Sequence, residues 1–104
     1  MPPRPKGTIT VDTTNAHFGG YVTYAFTWSE PDDPSNFRDP WARLSVYQDG
    51  ELVQQTYSAL RVDASDPLGP TPSWSGGGAD AKVELGYWGR RFMVVDGATF
   101  VVGI

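Results

Sequence analysis

The 104-residue chain has no cysteine and one histidine. Without thiols it forms no disulfide, offers no thiolate nucleophile and holds no cysteine-based zinc site. A single histidine, His17, leaves little for triad chemistry, which needs a base aligned with a nucleophile and an orienting acid. Beside Phe18 and Gly19 it reads as a turn residue. Positive charge is scarce as well: 8 Lys and Arg stand against 12 Asp and Glu, a formal net charge of −4. That balance excludes a uniformly basic nucleic-acid surface, and no nucleic-acid partner is expected. No apolar run approaches the roughly 20 residues that cross a bilayer, so no membrane insertion is expected either. The polar, proline-rich beginning is not read as a signal peptide. Gly76-Gly77-Gly78 lacks the Lys-Ser/Thr pair and the helix of a phosphate loop, and no cofactor is expected.

A helical period is also missing. What is present is strand-like alternation between turn formers. Apolar residues make up 39% of the chain and aromatics 13%, enough to build a core, while 12 Gly and 9 Pro supply many turns. Ile9 and Val11 alternate with Thr8 and Thr10 in a first strand, Gly7 to Asp12. From Gly20 to Trp28, Val22, Tyr24, Phe26 and Trp28 fall on one face, a period of two that fits no helix, and this face is assigned to the core. A third strand, Trp41 to Gln48, carries Ala42, Leu44 and Val46 on one face, with Trp41 out of phase. Asp49-Gly50 then signals a two-residue type I′ hairpin leading to Glu51–Ser58. In that strand either Val53 and Tyr57 or Leu52 and Thr56 face inward. Polar residues on both sides place it at a sheet edge. Leu60 to Val62 is a possible brief strand. Asp80 to Trp88 resumes alternation, Arg91 to Val95 follows, Asp96-Gly97 signals a second hairpin, and Thr99 to Ile104 closes the chain. The total is seven to eight short strands in one domain, residues 8–104, preceded by an extended proline-rich arm, residues 1–7.

The central hairpin Tyr47-Gln48-Asp49-Gly50-Glu51-Leu52-Val53 and the strand Gly78-Ala79-Asp80-Ala81-Lys82-Val83-Glu84-Leu85 resemble those of bacterial and phage immunoglobulin-like domains. The resemblance spans roughly residues 8–103 and implies an antiparallel β-sandwich. Val83 and Leu85 stand where antibody-type domains carry Tyr and Cys, so the tyrosine corner and the core disulfide are absent. The acidic, cysteine-free, Gly/Pro/Trp-rich texture, most marked in the stretch from Leu68 to Gly78, is similar to that of actinobacterial phage proteins. That likeness implies an accessory protein on a virion surface, assembled in the host cytoplasm, that contacts a major capsid protein or a tail protein.

No constellation points to catalysis. No serine lies in a G-x-S-x-G motif. Glu30, Glu51 and Glu84 read as solvated surface charges rather than a glycosidase pair. Asp32, Asp33 and Asp39 share a loop without EF-hand spacing, and no metal is expected. The candidate contacts are of another kind. Pro2, Pro3, Arg4, Pro5 and Lys6 form an arm suited to being held by a neighbouring chain. Trp74 lies in a long irregular segment, and Trp88, Arg90 and Arg91 combine the residue types enriched in binding hot spots. The alternative use of Trp74, Trp88 or Trp41 is as a sugar platform for a host-surface glycan, which requires two or more exposed, coplanar rings. Self-association on a symmetric particle is a further expectation.

Overall fold

The computed structural model describes residues 3–17, 19–61 and 78–103. Within them the chain is all-β: β1 (Lys6–Asp12), β2 (Thr23–Ser29), β3 (Trp41–Gln48), β4 (Glu51–Ala59), β5 (Ala79–Trp88) and β6 (Phe92–Val102), with one 3-10 turn at Pro34–Asn36. They form two antiparallel sheets, β1-β2 and β4-β3-β5-β6. The apolar faces of the two sheets meet. Leu44, Val46, Ala81, Phe100 and Val102 of the larger sheet bury with Val22 and Ala16, while Ala42, Val83 and Leu85 bury with Ile9 and Leu60. Val11 and Tyr24 pack against both groups and join them into one core.

The alternating patterns explain these faces. Val22 is buried, and Tyr24, Phe26 and Trp28 are half-buried on the same side. Ala42, Leu44 and Val46 are buried on β3, as their spacing requires. The Asp49-Gly50 turn has positive φ at both residues, 52° and 80°, the geometry of a type I′ turn. β4 lies at the edge of its sheet. A register shift between Val46 and Tyr47 leaves Val53 unpaired as a bulge. Beyond it Gln54, Thr56 and Ser58 lie opposite Val46, Leu44 and Ala42 on the inward side, and Gln55 and Tyr57 point outward.

Three expectations change. The second hairpin at Asp96-Gly97 does not form; both residues lie inside β6, which runs unbroken where two strands were expected. Six strands result among the described residues. The physical reason is that β6 pairs with β5 along its whole length, on both sides of a register shift between Leu85 and Gly86 that passes over Val95. The Asp96 carboxylate then accepts the Ile9 N–H at 2.8 Å, tying β6 to β1. Leu60 and Arg61 lie outside any strand, and Val62 lies outside the described residues. Finally, β1 begins at Lys6, inside the expected arm. Lys6 stands opposite Ser29, and Gly7 lies so close to the Thr27 carbonyl that no Cβ fits.

Candidate functional site

The outward face of the larger sheet is where aromatic and ionic side chains gather. Register alone brings Tyr57, Arg43 and Glu84 into one row across β4, β3 and β5. The next row places Ala59, Trp41 and Gly86 together, and Trp88 pairs with Phe92 at the end of β5 and β6. Gly86 permits this crowding. A side chain there would meet the Met93 carbonyl and would come within 2.8 Å of the Phe92 ring, which lies over the bare backbone.

The four rings form one cluster. Trp88 lies 4.9 Å from Tyr57 at 44°, 5.3 Å from Phe92 at 70° and 6.1 Å from Trp41 at 83°. Tyr57 meets Phe92 edge-on at 5.4 Å. The Arg43 guanidinium lies 4.9 Å from the Phe92 ring centre and 6.0 Å from that of Tyr57, within cation–π range. Its Nε and Nη2 both donate to Glu84 Oε1, at 3.0 and 2.7 Å. Lys82 Nζ approaches the other carboxylate oxygen at 3.6 Å. Burial works to lower the Arg43 pKa, but Tyr57 and Glu84 outweigh it, so the guanidinium is held charged more firmly than usual. Trp88 remains 41% exposed and Tyr57 36%, so the cluster shows an aromatic surface to solvent over a fixed ionic base.

A cleft of about 290 Å³ runs from this cluster to the loop before β3, lined by Phe37, Arg38, Asp39, Trp41 and Trp88. The loop is well tied. The Asp33 side chain caps the Pro34–Asn36 turn, and Glu30 accepts both the Trp28 indole N–H at 3.0 Å and the Arg38 N–H at 3.1 Å. Among the described residues no group of three or more His, Asp or Glu side chains is arranged to hold a metal ion.

The expected site residues fare differently. Trp88 is central to the cluster, and exposed Arg90 and Arg91 follow it in the turn between β5 and β6. Pro2 and Trp74 lie outside the described residues. Pro3, Arg4 and Lys6 are exposed, whereas Pro5 is buried. Arg4, Pro5 and Lys6 line a depression together with Tyr87, Val94 and Val95 of their own chain. Glu84 corrects the reading of a solvated charge: it is 6% exposed beneath Arg43 and Lys82. Tyr57, Phe92 and Arg43 were not singled out in the sequence. The usable signal was parity: once Leu44 and Val46 face inward, Arg43 and Trp41 face outward. Comparison with protein-family models, curated proteins and solved structures finds no match for this chain.

Proposed function

We propose that this chain is a non-enzymatic binding domain of the immunoglobulin-like type that decorates a phage virion, capsid or tail, through protein–protein contacts. The observation that carries the binding role is the exposed Trp88–Tyr57 surface backed by Arg43 and flanked by Arg90 and Arg91. Tyr, Trp and Arg dominate interface hot spots because they bring large area at low entropic cost and retain a polar handle. Here the rings are already fixed by one another and by the Arg43–Glu84 pair, so little ordering entropy is lost on binding.

The immunoglobulin-like reading draws support from strand order. β4-β3-β5-β6 opposite β1-β2 is the order expected if these strands are the C′, C, F, G, A and B strands of a variable-type domain. The virion setting rests on the acidic, cysteine-free, Gly/Pro/Trp-rich composition and its likeness to phage accessory domains. Arg4 and Lys6 at the arm and Trp88 on the open face are the contacts assigned to a major capsid or tail protein. The glycan alternative asks for coplanar rings, and Trp41 and Trp88 stand at 83°.

The test is co-sedimentation of the purified chain with empty capsids and with tails of an actinobacterial phage, beside retention on a polysaccharide column. Saturable sedimentation with one particle supports the proposal. Retention on polysaccharide without particle binding replaces it with the glycan reading.

A further inference from the structure

We propose that the depression beside the arm binds an organic carboxylate, with Arg4, Lys6 and the Tyr87 hydroxyl on the oxyanion and Val94 and Val95 against its apolar body. The depression holds about 350 Å³, near the lower end of small-molecule sites, roughly 300–1,000 Å³. Local structure builds it. Pro5 is buried and its ring fixes φ, so the two flanking cations are carried on a constrained backbone. Strict alternation would turn Val94 and Val95 to opposite faces of β6. The register shift that passes over Val95 lets both line the same depression.

Charge and hydrogen bonding select the ligand. Arg4 and Lys6 are exposed and form no ion pair among the described residues. Two carboxylates on adjoining positions are engaged elsewhere. Asp96, next to Val95, accepts the Ile9 N–H. Glu30 follows Ser29, the residue opposite Lys6, and accepts N–H groups of Trp28 and Arg38. Tyr87 is 8% exposed, and its hydroxyl has no hydrogen-bond partner among the described residues. A buried hydroxyl without a partner is costly, and an oxyanion supplies its acceptor while facing both cations. Val94, 48% exposed, and half-buried Val95 favour an apolar body on that oxyanion over a bare ion.

The test is an amide NMR titration of the full chain with benzoate, and in parallel with acetate and benzamide, at fixed ionic strength. Benzoate is expected to shift the Lys6, Gly7, Tyr87 and Val95 amides saturably. Acetate lacks the apolar body and benzamide lacks the charge, and each is expected to bind about tenfold more weakly. Arg4→Gln, Lys6→Gln and Tyr87→Phe are each expected to weaken benzoate binding about fivefold. Arg4 and Lys6 are exposed, so those two variants keep the fold whatever Tyr87→Phe does. Non-saturable shifts, saturable shifts confined to Trp88, Arg90 and Arg91, benzamide binding as tightly as benzoate, or affinity unchanged in any of the three variants overturns the inference. None of those results touches the Trp88 claim, because no residue of that cluster lines the depression.

Discussion

Arg43 and Glu84 illustrate what a single residue decides here. Alternation along β5 puts Glu84 on the outward face, and an outward carboxylate ordinarily meets water. Periodicity gives the face but not what covers it. Lys82 stands two residues before Glu84 on the same strand, but Arg43 comes from β3, which only the folded register brings near, so the burial of Glu84 was not legible in its neighbours. Removing Arg43 takes away the closer counter-charge of a buried carboxylate and leaves it only the more distant Lys82. Arg43→Ala is expected to cost about 3 kcal/mol in denaturant unfolding, and to change the near-ultraviolet circular dichroism of the Trp88 cluster. Tyr24 makes a second prediction at this scale. Burial between the sheets pushes its pKa from 10.0 to about 12. The unfolded chain therefore releases this proton first, and the folded state loses stability as pH rises from 10 toward 12. Alkaline unfolding curves are expected to show that loss, and Tyr24→Phe to reduce it.

At the scale of elements, the two Asp-Gly pairs make the instructive contrast. Asp49-Gly50 joins two strands that pair with each other, and its backbone takes the positive φ angles that the dipeptide permits. Asp96-Gly97 carries the same local signal but sits opposite Glu84 and Leu85 of an unbroken partner strand. Tertiary pairing overrode a local preference, because β5 offers one long ladder and Asp96 gains the Ile9 N–H. Strand identity and facing were legible wherever alternation was strong, as in Val22–Trp28 and Ala42–Val46. They were not legible in β4, where polar residues on both faces left two facings open and the Val53 bulge changes parity midway. If the Asp96 link holds β6 to β1, Asp96→Ala is expected to cost about 1–2 kcal/mol. Amide exchange should then accelerate at Ile9 while Val46 is left unchanged.

For the whole molecule, the sequence was enough for the all-β class and for most of the core, since both follow from period-two patterning. The candidate site was half legible. Trp88, Arg90 and Arg91 announce themselves by residue type, whereas Tyr57, Phe92, Arg43 and Glu84 join Trp88 only through a four-strand register. The arm reading is reshaped by the fold: Pro5 is buried against its own chain, leaving Arg4 and Lys6 as its exposed cations. Under the proposed function two surfaces compete as the principal contact, the arm and the open face around Trp88. The central claim is that the open face binds. It is tested most directly by co-sedimentation with phage capsids and tails, comparing the native chain with Trp88→Ala and with a chain lacking residues 1–4. Trp88→Ala is expected to weaken binding by about thirtyfold, the effect of losing a hot-spot tryptophan, while the shortened chain keeps most of its affinity. Binding unchanged by Trp88→Ala and lost on truncation would contradict the account and move the contact to the arm.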